Sequence, residues 1–513
     1  MTLPNAKLAA SLEQLKVLQE QGLRAIRGTH LSRTHRERLL RTGYLEEVIK
    51  GWYLPSHPDL SAGSSAAWFA GMRDFVSGYC DERFVQNWYL GPDQSLLMHS
   101  GERTLPRQWQ IWTPAGNNQF VQLPHGCSMF IYRAPTALPS STDRENQGIR
   151  LVKLMDALVA ASPSFFVQQP LAAQIVLGMV DDPSPLLQRL LENAHSVIAG
   201  RLAGAFRALG KAEIANTITH TMRSAGHTVL ETTPFETPPA RLLSGRTVSP
   251  HVQRLCLLWK NMREQVIACF PAPASLPADP AQILQDIEDR YLADAYHSLS
   301  IEGYELTTSL IEKVRQGNWD PDGSDKSLRD ALAAKGYFEA HKLVKDFITR
   351  TAGHPGIQGV REAISAWYLA LFSPSVQAGI LKPAELAGWR DHQVYIRGAL
   401  HVPPAKEAVR DCMPAFFELI ENEPHPAVRA VLGHFLFVYI HPYMDGNGRL
   451  ARFLMNAMLV TGGYVWTVIP VQERSTYMEA LERASSYGEI EPFARFIAQL
   501  ACQQTHQRLP RPV

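Results

Sequence analysis

A chain of 513 residues is longer than one hydrophobic core usually serves, so roughly two to four domains are expected. Its formal net charge of +1 provides no global field toward nucleic acid or a membrane surface, so any basic surface must be local. The apolar fraction of 45% is that of a globular chain, and six cysteines (Cys80, Cys127, Cys256, Cys269, Cys412, Cys502) show no Cys-x-x-Cys spacing. That scatter argues against a zinc site or a disulfide framework, and no apolar run reaches the length of a membrane span. With no basic start followed by an apolar block, a cytoplasmic protein is expected.

In chain order, Leu8 to Gly22 has helical periodicity through Leu12, Leu15 and Leu18, and Gly22 ends it. A second helix is expected from Ser32 or Thr34 to Arg41, followed by a strand-like run from Val48 to Leu54. Residues 1–60 thus have the outline of a winged helix-turn-helix. Between Arg24 and Lys50 stand seven Lys/Arg against three Glu, and Arg33, Thr34, Arg36 and Arg38 would lie on a recognition helix facing phosphates or guanine edges. The same residues also suit a solvated basic helix in a protein-binding module.

From Phe75 to Arg133 the pattern turns β-like. Strands are expected over Phe84–Leu90, Gln108–Trp112 and Ser128–Tyr132, with a hairpin turn at Gly116-Asn117-Asn118. After Pro139-Ser140-Ser141 the pattern is helical over Leu151–Val159, Leu171–Val180, Leu186–Leu209 and Glu213–Ala225, so residues 61–235 read as an α+β domain. This arrangement, with Gly200-Arg201-Leu202-Ala203-Gly204 and Asn216-Thr217-Ile218, resembles antitoxins of the AbiEi type over residues 1–235. The likeness implies promoter DNA as a partner and a toxin–antitoxin setting. Thr233 to Pro239 reads as a linker, and residues 236–281 as linker and connecting helix, ending in a Pro-rich break from Pro271 to Pro280.

From about Gln282 the chain is nearly all helical. One helix carries Tyr296-His297-Ser298-Leu299-Ser300-Ile301-Glu302-Gly303, with Ser298 and Glu302 four apart on a shared face. Core helices are expected over Leu328–Thr351 and Val360–Leu371. A short β-prone hairpin follows Ala387-Gly388-Trp389-Arg390, spanning Gln393–Gly398 and Leu400–Pro404. Next comes Glu407–Ile420, with a kink at Pro414.

Val431 to Ile440 is almost wholly apolar, broken only by His434, and reads as a buried helix, which the chain leaves at His441-Pro442-Tyr443-Met444-Asp445-Gly446-Asn447-Gly448 before helical spacing resumes from Arg449 to Val460. The resulting loop is polar and held between two helices. Glycines flanking Asn447 permit close approach of backbone N–H groups where a helix begins, which suits an anion. Arg449 and Arg452 share the first turn, Asp445 is a hard oxygen ligand suited to Mg²⁺, and His441 is a candidate general base. Past Trp466–Pro470 and Arg474–Leu481, a helix over Pro492–Gln503 ends the pattern.

His441 to Arg452 looks like the complete Fic-domain signature, His-Pro-Phe-x-Asp/Glu-Gly-Asn-Gly-Arg-x-x-Arg, with Tyr443 in the aromatic slot. The resemblance covers about residues 282–503 and implies a mainly α chain. Its Fic domain, over 282–513, would be an α-helical bundle with a small β-hairpin flap, preceded by the winged helix-turn-helix and the α+β domain. It further implies a protein adenylyltransferase that moves AMP from ATP to a Ser, Thr or Tyr hydroxyl of a target protein. His441 would act as base, Asp445 would hold Mg²⁺, Gly446, Asn447 and Gly448 would cradle the phosphates, Arg449 would neutralise charge, and Arg452 would hold the γ-phosphate. Tyr477 would shape the nucleotide pocket or pack. Ser298-x-x-x-Glu302-Gly303 resembles the family's inhibitory motif, with Glu302 paired to Arg452, and Val394, Tyr395 and Ile396 match the flap that docks the target. Gly448 argues for nucleotidyl transfer, since the Doc branch has Lys there. The phosphocholine branch stays open, as do a DNA-binding regulator with a nucleotide-sensing Fic half, an enzyme that also removes AMP, and a homo-oligomer.

Overall fold

The computed structural model describes residues 4–56, 66–134, 142–144, 148–239, 249–273, 280–317, 325–353, 357–386 and 388–505. Two compact units are formed, Met1–Pro250 with Tyr395–Val402, and His251–Val394 with Pro403–Val513.

The first unit opens with α1 (Pro4–Glu20), β1 (Ile26–Arg27), α2 (Arg33–Arg41), β2 (Leu45–Ile49) and β3 (Trp52–Pro55). The Ser32 side chain accepts the His35 N–H and caps α2. The single strand expected over Val48–Leu54 is instead a hairpin, because Gly51 takes φ +86 and reverses the chain. An antiparallel sheet of order β1-β3-β2 results, closed over Leu15, Ile26, Leu39, Leu45 and Tyr53. Next come α3 (Ala66–Phe84), β4 (Tyr89–Leu90), α4 (Pro92–His99), β5 (Gln108–Thr113), β6 (Gln119–Gln122), β7 (Ser128–Arg133), β8 (Thr142–Arg144) and β9 (Arg150–Val152).

Two expectations change here. The strand over Phe84–Leu90 shrinks to β4, since α3 runs to Phe84 and Val85 turns out with φ 56. The Gly116-Asn117-Asn118 turn does not make a hairpin: β5 pairs in parallel with β7, and the order is β4-β5-β7-β6.

The helices α5 (Leu154–Ala160), α6 (Pro163–Gln168), α7 (Pro170–Gly178), α8 (Ser184–Glu192), α9 (Ser196–Ala208) and α10 (Ala212–Ser224) follow. The long helix expected over Leu186–Leu209 is broken between α8 and α9 by Ala194, at φ 50. Gly200 and Gly204 of α9 let the chain after α10 lie against the helix backbone. A Cβ at either would strike the carbonyl of Leu230 or Thr232, and the Thr232 N–H donates to the Gly200 carbonyl at 3.2 Å. The expected linker therefore begins pinned, with Phe235 set edge-on against Phe166.

The same unit holds Tyr395–Val402. Val402 is buried in its core, the Leu105 N–H donates to the Leu400 carbonyl at 3.0 Å, and Arg24 donates to the Tyr395 hydroxyl at 2.7 Å. The β-hairpin expected at Val394, Tyr395 and Ile396 is irregular chain instead. The Ile396 carbonyl accepts the Ala399 N–H in a turn, and the Val394 carbonyl accepts from the Gln393 side chain at 3.0 Å.

The second unit comprises α11 (Pro250–Cys269), α12 (Pro280–Ile301), α13 (Thr308–Arg315), α14 (Asp325–Thr351) and α15 (Val360–Gln377). These are followed by α16 (Lys406–Asn422), α17 (Pro426–Ile440), α18 (Asn447–Thr461), α19 (Arg474–Tyr487) and α20 (Glu491–Thr505). The connecting helix expected before residue 281 is α11, and it belongs to this bundle. Its Arg254 donates to the Tyr439 hydroxyl at 3.0 Å, and Trp259 and Arg263 both donate to Glu423. Helices α17 and α18 are buried almost throughout and form the centre. Among the described residues no helix is long and apolar enough to cross a membrane.

Gly204→Ala is expected to destabilise the first unit by about 1–3 kcal/mol, because backbone carbonyl and not a flexible side chain meets the added methyl. Denaturant unfolding checks this: an unchanged midpoint would show that the chain does not press on α9.

Candidate active site

The loop between α17 and α18 begins with strain. His441 closes α17 in a left-handed conformation (φ 52, ψ 62), which costs a non-glycine residue about 1 kcal/mol or more. Arg390, 1% exposed, holds it there. Its Nε donates to the His441 carbonyl at 2.8 Å, its backbone N–H donates to the Pro442 carbonyl at 2.8 Å, and its guanidinium also reaches the carbonyls of His392 and Pro404. Sequence reasoning gave Arg390 no role, and its position 51 residues before His441 offers no spacing signal.

The His441 imidazole is defined by one contact. Its Nδ1 lies 3.3 Å from the Val438 carbonyl, which can only accept, so Nδ1 carries the hydrogen and Nε2 keeps its lone pair. Burial lowers the His441 pKa to about 4 against the raising effect of the Val438 bond, so the ring is neutral at pH 7 and able to take a proton.

Asn447 is 2% exposed, and its side chain serves the loop itself. Oδ1 accepts the Tyr443 N–H at 3.0 Å and Nδ2 donates to the Tyr443 carbonyl at 2.9 Å. Tyr443 in turn stacks on Tyr368 with centroids 3.9 Å apart. What Asn447 leaves open toward a ligand is therefore its backbone. Gly446 takes φ +81, and a Cβ there would meet Phe372 at 2.8 Å. The exposed Asp445 accepts the Gly446 N–H at 2.6 Å and pairs with Arg449 at 3.2 Å.

Arg449 and Arg452 are 1% and 3% exposed, and each has a counter-charge. Arg452 donates from Nε to the Ser298 hydroxyl at 2.8 Å. One terminal nitrogen donates to the Ser298 carbonyl at 3.0 Å and to the Glu302 carboxylate at 2.7 Å. Burial works against its charge, but the carboxylate beside it holds the pKa above the ordinary arginine value.

Helix α12 presents Asp294 and Ser298 one turn apart, and Glu302 follows immediately after its last residue. It ends where Gly303 takes φ +87 and the Tyr304 N–H returns to the Leu299 carbonyl at 3.2 Å. Gly448 makes room for Glu302: a Cβ on Gly448 would collide with its carboxylate. Glu302 thus sits at the first turn of α18, where helix amides and dipole favour an anion.

Tyr477 is buried and shares a 2.8 Å hydrogen bond with His434 Nε2, packed with Phe493. Burial pushes its pKa up, to about 12, and the charges of Arg452 and Glu302 both act on its hydroxyl. Of the four residues named for DNA, Arg36 donates to the Gly28 carbonyl, Arg38 to the Lys7 carbonyl and the Ser11 hydroxyl, and Arg33 pairs with Glu37. Arg36 and Arg38 thus brace the first unit. Thr34 lies exposed on α2, and Arg33 keeps an outward side chain.

A strained histidine ends one buried helix and two buried arginines lie on the next, and residues 362–459, which contain all three, match the family model described as Fic/DOC family. Among curated proteins the chain is similar to "Protein adenylyltransferase Fic" of Nematostella vectensis, at 35% identity over 228 residues, covering 44% of this chain and 50% of that one. The same-named protein of Drosophila mojavensis matches at 33% over 220 residues, covering 41% and 40%. The chain spans about half the length, or less, of these relatives. Among solved structures, Fic-1 from C. elegans aligns at 16% identity with a TM-score of 0.38, covering 66% of this chain and 97% of that one.

Beneath the site, burial lowers the pKa of His434 to about 3, so the unfolded state, near 6.5, binds the proton first. Its contribution to stability is full above pH 6.5 and is lost as pH falls toward 3. Between pH 6.5 and 5 this loss is on the order of 2 kcal/mol. His434→Gln should therefore lose roughly 2–4 °C less of its melting temperature than wild type between pH 7 and 5. Parallel melting curves would contradict the burial of a neutral imidazole.

Proposed function

We propose that this chain is a protein adenylyltransferase, transferring AMP from ATP to a hydroxyl side chain of a target protein and restrained by its own Glu302. The observation that carries the reading is the Glu302 carboxylate lodged against Arg452 and Gly448, an anion already occupying an anion's place in a loop that begins with a base. The similarity to proteins named protein adenylyltransferase supports the same chemistry.

In the transfer, Nε2 of neutral His441 takes the proton from the target hydroxyl as its oxygen bonds to the α-phosphorus. The bond from that phosphorus to the bridging oxygen breaks, and pyrophosphate leaves. The first-turn amides of α18 and Arg449 stabilise the charge that develops, and Arg452 holds the terminal phosphate once Glu302 has moved aside. This is positioning and electrostatics, with the buried bundle supplying the preorganisation.

Asp445 fits Mg²⁺, since this ion is commonly held by one or two carboxylates together with substrate phosphates. The Asp445 side chain is 65% exposed, and among the described residues no group of three or more His, Cys, Asp or Glu forms a complete metal site. When bound with ATP, Mg²⁺ would supply charge neutralisation on the phosphates.

Incubation with labelled ATP tests the reading. Wild type should label itself weakly, Glu302→Gly strongly and His441→Ala not at all, with label retained from the α-phosphate only. Equal retention of α- and γ-label would contradict nucleotidyl transfer. Acid should also silence the Glu302→Gly enzyme, because protonating His441 removes the base: activity should fall as pH drops through about 4. An unchanged rate through that range would remove His441 from the base role.

A further inference from the structure

The segment that carries Glu302 does not end its involvement there. Two residues later, Tyr304 lies in the short connection between α12 and α13, fixed at one end by its N–H to Leu299 and at the other by buried Leu306 and the Thr307 cap. Its ring centroid is 5.3 Å from the Arg449 guanidinium, and Phe372 lies 5.0 Å from the same guanidinium. The half-buried Tyr304 ring also faces the exposed Arg329 of α14, again at 5.3 Å. A buried guanidinium flanked by two aromatic rings is attracted to both through their quadrupoles, and in a desolvated site that attraction is strong.

Arg449 needs this support. Among the described residues it forms an ion pair with exposed Asp445, 3.2 Å away, and its Nε has no hydrogen-bond partner. Arg452 is held by two hydrogen bonds to Ser298 of α12 and one to Glu302 just past its end, whereas Arg449 is held chiefly by rings.

We infer that Tyr304 is a positioning residue for Arg449: its ring fixes where the guanidinium waits and so sets the affinity of the site for the ATP phosphates. This rests on the adenylyltransferase reading. The end of α12 thereby acts on both arginines, opposing ATP through Glu302 on Arg452 and favouring it through Tyr304 on Arg449. The two effects are separable because they use different residues of one short segment.

The test uses the full chain carrying Glu302→Gly, so that restraint is absent. Adding Tyr304→Leu, which keeps apolar bulk and removes the ring, should raise the KM for ATP about tenfold with kcat changed less than about twofold, and Tyr304→Phe should restore the parent KM. A KM unaltered by Tyr304→Leu, or an equal loss in Tyr304→Phe, overturns the inference. A readout independent of turnover separates it from the transfer reading. In arginine-labelled protein, the Arg449 Nε–H resonance, assigned through Arg449→Lys, should shift on Tyr304→Leu and stay in place with Tyr304→Phe. No shift with Leu overturns the stack. A shift in a protein that never labels itself sinks the transfer reading while the ring contact stands.

Discussion

The buried guanidinium of Arg452 is the constraint on which the site depends. At 3% exposure it has no access to bulk water, and leaving such a charge without a partner costs about 3–5 kcal/mol. Two of its three hydrogen bonds go to Ser298, through the hydroxyl and the carbonyl, and these do not require Glu302 to stay. Only the carboxylate contact is exchangeable. Whatever displaces Glu302 must bring negative charge of its own, and a phosphate does so. In the proposed transfer, restraint and the binding of nucleotide would be alternative solutions to one electrostatic demand.

Rigidity around that exchange comes from packing and not from the loop. Helices α17 and α18 are buried on nearly all sides, so the loop has fixed ends. Within it, Asn447 closes on the backbone of Tyr443, and Arg390 holds the carbonyls of His441 and Pro442. Glycine is required twice for different reasons. Gly446 supplies a left-handed turn beside Phe372, and Gly448 supplies the space that Glu302 occupies. Under the proposed function, the second requirement would give Gly448 a part in restraint as well as in approach to phosphate.

Much of this was legible in the sequence where the signal is local. The near-wholly apolar Val431–Ile440 run, the glycines and the spacing of Arg449 and Arg452 were readable locally, and Ser298 and Glu302 share a face as their four-residue separation requires. What was not legible depends on distant chain. Arg390 grips His441 from 51 residues away, and Tyr304 reaches Arg449 from another helix connection. The β-prone composition of Val394–Ile396 indicated a hairpin, yet its neighbours pair with Leu105, a partner no local pattern could name. The same holds for β5, whose turn residues suggested β6 as partner while the sheet places β7 beside it. On α2, Arg36 and Arg38 each donate to a backbone carbonyl of their own unit, contacts that no local pattern could name.

The competition at Arg452 can be measured without turnover. With His441→Ala in place to prevent transfer, calorimetry compares ATP binding to the full chain with and without Glu302→Gly. Removing the carboxylate should tighten binding at least about tenfold, equivalent to about 1.4 kcal/mol. Equal affinities would contradict the account, because Glu302 and the terminal phosphate would not then be contesting the same guanidinium.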